Sequence, residues 1–483
     1  MSRPVRSNFM RNWFAIEAIP IYAVIGLAVG GAGWYLARLA TRPDVIWTKS
    51  NPQPWNTVKQ TDNIKLMAVN QKFDKSALHL DMVMPLNSPQ PNITLPPLSQ
   101  IPDDVDDRPR PGDPLGNVGA FNLPELVFGA ATLSNQYNSD GLLTSDIPLR
   151  TVRLALRYGM RAFDTSAYYG PSEIVLGAAL NAISEEFPRS SYQLMTKCGR
   201  YGPLKENFDY SPDTIRKSVE RSLERLHTDY LDVVYLHDVE FVAEAILPRP
   251  FGHHQTALSS EAEAYGLANG QESKVWGPGD QKIIDAMAEL RNLQAEGKIK
   301  HVGITGYPLP TLLRISLLIL HTPPYEPIDV LLSYSQSNLQ NSAFYAYAPV
   351  FRQRAKINQL LAASPLNMGL LSPKPPSWHP APEPLHQAVQ AARGKCAEWP
   401  GGLVNVALGY SMRRKGDDDT IAAIPTVVGF SAPNEVHDSL RAWREVRAEK
   451  DVDERNRMEN AVQDIFKDSG FYGWAWASPS EPI

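Results

Sequence analysis

The sequence is short of cysteine, of net charge and of long apolar runs, and each shortage removes a class of protein. Its two cysteines, Cys198 and Cys396, stand far apart in 483 residues and match no metal-ligand spacing. That excludes a disulfide framework and a zinc site. A formal net charge of −5 with no basic tract argues against a nucleic-acid partner. Proline is the exception to this restraint, with 41 residues, many of them between 77 and 120. Proline without apolar periodicity favours an extended or disordered linker there, which carries the acidic run Asp103–Asp107.

Only one stretch is both long and uncharged, the twenty residues Ala18–Ala37. At about 1.5 Å per helical residue they match the roughly 30 Å of a bilayer core, so residues 18–37 are expected to form a single transmembrane helix in the lipid bilayer. Gly26, Gly30, Gly31 and Gly33 suit close helix packing in lipid. A cleaved signal peptide is disfavoured by Trp13, Glu17 and Pro20, and a buried core helix by the length of the run. Arginines flank it on both sides (Arg3, Arg6 and Arg11; Arg38 and Arg42), so charge leaves its orientation open. The chain then divides into a membrane segment (1–76), a proline-rich linker (77–120), a catalytic region (121–445) and a C-terminal helix and tail (446–483).

From 121 onward, short β-rich runs alternate with amphipathic helical ones. The runs are Leu126–Leu133, Arg161–Ser166, Tyr192–Cys198, Leu231–His237, His301–Gly306, Asp329–Ser335, Ile357–Ser364 and Thr420–Val428. Helices are expected over Ser211–Leu226 and Gln281–Glu296. Eight such units predict an α/β protein with a (β/α)8 barrel. No G-x-G-x-x-G follows the first strand, which disfavours a Rossmann domain. The long connection Val239–Asp280 follows the fourth strand, where a barrel would place it over the catalytic face as a candidate lid.

The chemistry gathers at three strand ends. Phe163-Asp164-Thr165-Ser166-Ala167-Tyr168-Tyr169-Gly170 ends the second strand with an acid and a phenol, Met195-Thr196-Lys197 ends the third with a cation, and Leu236-His237 ends the fourth. A free tyrosine has a pKa of about 10 and is a poor proton shuttle near neutrality. A nearby Lys197 ammonium would favour phenolate in Tyr169, Asp164 would hold that ammonium, and His237 would orient a reacting oxygen. Each residue alone is more simply a turn former, a packing aromatic, a solvated lysine or a core histidine. Together, on successive strands, they are a catalytic set. None attacks carbon, so proton transfer paired with hydride transfer is the implied chemistry.

The motifs FDTSAYYG, LMTKCGR, YLDVVYLHDVE, EGKIKHVGITGYP, ASPLNMGLL and IPTVVGFSAPNEV, in this order, resemble the aldo-keto reductases, above all the fungal D-arabinose 1-dehydrogenases and related L-galactose dehydrogenases. The resemblance implies oxidation of the anomeric hydroxyl of a free aldose to a lactone with NAD, NADP being the alternative. It assigns Tyr169 as proton donor or acceptor, Lys197 and Asp164 as its tuning pair, and His237 as the substrate-orienting residue. For the cofactor it points to Thr305, Gly306 in place of the usual Asn, Tyr334, Ser364 and Leu366, with Ala363 where a stacking aromatic is usual. In the last strand and helix it points to Thr426, Glu435 and Ser439, with His437 and Arg441 as alternatives. A carboxylate at Glu435 would disfavour a 2′-phosphate, hence NAD.

The segment RNWFAIEAIP, the Pro43–Asn56 stretch and the VNQKFDK tail resemble small MLRQ-type subunits of the mitochondrial respiratory chain. That likeness implies a mitochondrial inner-membrane address and respiratory-chain partners; the barrel alone would be cytoplasmic. Two other readings stand beside the enzyme: a membrane-tethered barrel kept for binding or regulation, and a respiratory-chain accessory subunit carrying a passenger barrel.

Overall fold

The structure is a computed structural model that describes residues 19–41, 93–413, 423–448 and 451–479. The chain falls into two units divided between Leu80 and Asp81. Most of the MLRQ-like motifs, the linker as far as residue 92 and the start of the eighth predicted strand run lie outside the described residues.

In the first unit a helix runs over Ile19–Thr41. Among the described residues, no helix is long and apolar enough to cross a membrane. This corrects the expectation of a spanning helix at 18–37. The run is uncharged but diluted, since Pro20, Tyr22, four glycines, Trp34 and Tyr35 all lower its mean hydropathy.

The second unit is the expected (β/α)8 barrel. A small antiparallel hairpin, β1 (Asn117–Val118) with β2 (Leu123–Pro124), precedes it. Then come β3 (Leu126–Gly129), β4 (Ala162–Asp164), β5 (Gln193–Cys198), β6 (Leu231–Leu236), β7 (Ile299–Gly306), β8 (Val330–Tyr334), β9 (Gln359–Ala363) and β10 (Thr426–Gly429). These eight form a closed parallel barrel, β10 pairing with both β3 and β9. The strands read as continuous apolar runs because both faces are covered. Inside, Val127, Ala162, Met195, Val233, Tyr235, Val330, Leu332, Leu361 and Val427 pack together, with Leu123 of the hairpin among them. Outside, the helices pack on the strands; Pro212–Arg225 and Pro278–Ala295 fall where helical periodicity placed them.

Two connections differ from expectation. The proline-rich stretch is not an extended linker from residue 93 onward: Ile101 and Asp107 are buried, and Asp107 receives Arg150 Nε and Nη2 at 2.7 and 3.0 Å. Its acidic run finds cationic partners on the helix Ile147–Arg157, and that pairing outweighs the local preference of proline for an open chain. The Val239–Asp280 connection does lie on the side where the strands end, as a pinned cover. Asp280 receives Arg314 Nη1 and Nη2 at 2.7 and 3.0 Å and also the Glu244 and Trp276 N–H groups. Tyr347 Oη donates to His254 O at 2.7 Å, and Gly252 bridges to Ala475 of the C-terminal tail. That tail follows the helix Val452–Asp468 and stacks Trp476 on Tyr307 at 4.4 Å.

Candidate active site

The C-terminal ends of parallel barrel strands converge on one mouth, and the loops there carry the chemistry. Asp164 is the last residue of β4, Lys197 the last but one of β5, and His237 the first after β6. The structure brings these together with Tyr169, as expected. Lys197 Nζ donates to Asp164 Oδ1 at 2.5 Å and to Thr165 O at 2.8 Å. It also lies 4.8 Å from the centroid of the Tyr169 ring. His237 meets the Tyr169 ring edge-on at 5.7 Å and the Tyr168 ring at 5.8 Å.

The His237 tautomer follows from its partners. Ser166 Oγ lies 2.9 Å from Nδ1 and accepts the Tyr168 N–H at 3.1 Å. Donation of the Ser166 proton to Nδ1 uses every group and leaves the hydrogen on Nε2. Asp238 Oδ2 is 3.6 Å from Nε2, too far to accept that hydrogen. Burial, with Lys197 and Arg200 nearby, holds the imidazole pKa well below its usual value, so His237 is a neutral imidazole whose Nε2–H is free to donate.

Tyr169 departs from expectation. Burial, reinforced by the charges of Asp164 and Asp238, raises its pKa well above the usual phenol value, and the cation that pulls it back is Arg200. The net effect is a neutral phenol, not the phenolate expected from Lys197. Desolvation of a buried phenol costs more than the nearby positive charge returns. Burial likewise raises the Asp164 carboxyl, with Lys197 pulling the other way.

The residues expected to face a cofactor divide into two groups. Thr305 and Gly306 end β7, Tyr334 ends β8, and Ser364 and Leu366 follow β9, all on the rim of the same mouth. Ser364 adopts a left-handed backbone, with φ of 62°. At Gly306 a Cβ would lie 2.3 Å from Glu240 Oε2, so a larger residue requires that carboxylate to move. The buried Glu240 thus fills the space that a larger residue would need. Thr426, by contrast, is the first residue of β10, at the opposite end of the barrel, where its Oγ1 donates to Ser411 O. Ser439 is buried in the helix Pro433–Arg447.

These two are corrections: β10 spans Thr426–Gly429, so the rim residues of that strand are the ones after Gly429, and Ser439 is taken up by the packing of its helix. Glu435 does stand near this rim and accepts the Ser431 N–H at 2.7 Å. His437 is taken up by packing, donating Nε2–H to Asp106 O at 2.9 Å and accepting from Tyr158 Oη at 2.7 Å. Arg441 is paired with Asp438 and Glu445.

Sequence reasoning missed Arg200, Asp238 and Glu240. Arg200 Nη1 bonds Asp238 Oδ2, and its guanidinium lies 3.8 Å from the centroid of the Tyr168 ring. Glu240 accepts from Tyr307 N and Ser478 Oγ at 3.0 and 2.9 Å; burial and the charge of Asp238 push its carboxyl up to about 8. The signal was a charge of each sign on the loops after successive strands, inside motifs already singled out.

Comparison with known proteins agrees with this geometry. The model of the Aldo/keto reductase family matches residues 125–460. The chain belongs to that family. It is 34% identical to an L-galactose dehydrogenase of Arabidopsis thaliana over 69% of this chain and 88% of the relative. It is 33% identical to a D-arabinose 1-dehydrogenase of Saccharomyces cerevisiae over 75% and 97% respectively. The barrel is accordingly an oxidoreductase acting on CH–OH groups. Residues 13–64 match the model described as NADH-ubiquinone reductase complex 1 MLRQ subunit. There the chain is 48% identical to an NADH dehydrogenase [ubiquinone] 1 alpha subcomplex subunit 4-like 2 of Bos taurus, over 12% of this chain and 68% of the relative.

Proposed function

We propose that the barrel is a sugar dehydrogenase that oxidises the anomeric hydroxyl of a free aldose such as D-arabinose to its lactone. The observation that carries this reading is the convergence of Tyr169, the Lys197–Asp164 pair and a neutral His237 on one mouth. Nε2–H of His237 binds the reacting oxygen, and Tyr169 in its phenolate form takes the hydroxyl proton, becoming the neutral phenol, as the C1–H bond breaks with its electron pair. A bound nicotinamide dinucleotide supplies the acceptor for that hydride.

The rim fits such a group. Thr305, Tyr334, Ser364 and Leu366 would line it, and Tyr334 would support its ring where the strand-nine residue is Ala363. The loop 430–432 leads into the helix Pro433–Arg447, which has no side-chain cap and whose N-terminal end would suit a pyrophosphate. NAD is favoured over NADP because Glu435 stands in the first turn of this helix. A barrel kept only for binding would have no use for the complete proton-transfer set. Incubating the protein with NAD and D-arabinose, and following absorbance of the reduced nicotinamide, tests the reading; absence of turnover with every free aldose would overturn it.

For the N-terminal unit we propose association with the mitochondrial respiratory chain, supported by the match over residues 13–64. Native electrophoresis of solubilised mitochondria tests this, the expected result being comigration of the full chain, but not of residues 93–483, with a respiratory complex. Equal migration of both forms would sink it.

A further inference from the structure

Arg200 is built into the mouth with more care than a surface arginine requires. Its guanidinium carbon lies 3.8 Å from the ring centroid of Tyr168 and 5.4 and 5.3 Å from those of Phe208 and Phe241, which are themselves stacked at 4.5 Å. Nε donates to Gly202 O at 3.1 Å, and Nη1 bonds Asp238. Nη2 has no hydrogen-bond partner among the described residues, and it is not one of the buried unpaired atoms. One edge of the fork is therefore fixed by aromatic faces and a carboxylate, and the other is left open.

The open edge is close to the chemistry. Asp238 follows His237 directly, in a left-handed backbone with φ of 52°, and its Oδ2 lies between Arg200 and His237, 3.6 Å from Nε2. The Tyr168 ring under the guanidinium is 6.0 Å from the Tyr169 ring. A molecule whose oxygen is held by Tyr169 and His237 would present its next carbons toward Arg200. The positive charge is balanced by the buried Asp238, so the edge suits neutral hydroxyl groups. A planar fork with two N–H bonds on one nitrogen matches adjacent hydroxyl oxygens.

We propose that Arg200 determines substrate specificity by hydrogen-bonding a ring hydroxyl of the aldose, with Asp238 and Tyr168 as the residues that position it. This rests on the sugar-dehydrogenase reading. A site built to bond a hydroxyl discriminates against the analogue lacking it, because the bound analogue would cover the Arg200 N–H without giving it a partner.

The test is a cycle between protein and substrate. Steady-state kcat/KM is measured for wild type, Arg200→Met and Arg200→Lys with D-arabinose and with its singly deoxygenated analogues. Arg200→Met should cost about 10- to 100-fold with D-arabinose, the range of a hydrogen bond to a charged group. The loss should fall below about threefold with the analogue lacking the bonded hydroxyl. Arg200→Lys, which keeps the charge, should show the same pattern with smaller losses, and serves alone if the methionine variant does not fold. An equal loss with every sugar would mean that Arg200 only staples its loop, and would overturn the proposal. If wild type oxidises no aldose at all, the parent reading fails first, and with it this one.

Discussion

The ammonium of Lys197 lies over the Tyr169 ring, 4.8 Å from its centroid, while donating to Asp164 at 2.5 Å. One buried cation thus touches two groups: it pairs with the carboxylate and packs on the face of the phenol ring. Burial leaves Tyr169 a neutral phenol at ordinary pH. Tyr169→Phe should therefore lose turnover by about 10² to 10⁴ while cofactor affinity, measured by fluorescence titration, stays near wild type. Activity within tenfold of the parent would remove Tyr169 from proton transfer.

The same phenol predicts a direction with pH. Oxidation needs the base form, whose population grows as pH rises toward the raised pKa, whereas reduction uses the acid form already present. Sugar oxidation should speed up from neutral to alkaline pH, and lactone reduction should not. A profile for oxidation that is flat or falling over that range contradicts the assignment.

Glu240 gives a stability signature. Its carboxyl is raised from 4.5 to about 8 in the folded protein, so the folded state binds the proton more tightly than the unfolded chain. Stability from this group is complete below about 4.5 and is lost as pH rises through about 8. Thermal melts of wild type should fall between pH 6 and 9, about a unit or two either side of that value, and Glu240→Gln should flatten the fall. Parallel curves for both proteins would show that another group carries the effect.

The barrel was legible because each strand is buried on both faces and so reads as an apolar run between helical periods. The four residues that meet at the mouth were legible for a related reason: strand ends are sharp in sequence, and Asp164, Lys197 and His237 each stand at one. Thr426 was misplaced because the last strand begins there, so that it stands at the start of β10 and not at its rim end, and Ser439 because the helix Pro433–Arg447 buries it. Arg200 and Asp238 escaped notice because their meaning is pairwise: neither is unusual until two loops, far apart in sequence, bring them within bonding distance. The docking of residues 93–110 is of the same kind, since Asp103 and Asp107 read as solvated acids until the helix Ile147–Arg157 supplies their arginines.

That docking sets where the enzyme can be cut. A chain starting at residue 93 retains Asp103, Asp107 and the Asp106 carbonyl that accepts from His437. A chain starting at 111 loses all three and the Arg110 N–H bond to Tyr158. The longer form should melt with the full chain. The shorter should lose about 2–4 kcal/mol, since several of these are charge-assisted bonds and some are partly exposed. Equal melting temperatures for the two truncated forms would mean that the acidic segment is only draped on the barrel.

The last prediction concerns which dinucleotide is used. Phosphate on the 2′-hydroxyl adds close to two negative charges, and an enzyme that selects for it needs a cation where that group lands. In the first turn of the helix Pro433–Arg447, which follows the loop from β10, the charged side chain is Glu435, whose carboxylate accepts from Ser431 N. Of the expected rescuers, His437 is buried between Tyr158 and Asp106, and Arg441 is engaged by Asp438 and Glu445. Glu435 can receive a hydrogen bond from an unmodified 2′-hydroxyl and repels a phosphate in the same place. The ratio of kcat/KM for NAD to that for NADP, measured with one sugar, should exceed tenfold. Glu435→Gln should lower that ratio by improving NADP more than it harms NAD, because the amide removes the repulsion yet keeps a hydrogen-bonding oxygen. A wild-type ratio at or below one would place the 2′-group elsewhere on the rim. A ratio unchanged by the glutamine would show that the preference for NAD does not come from Glu435.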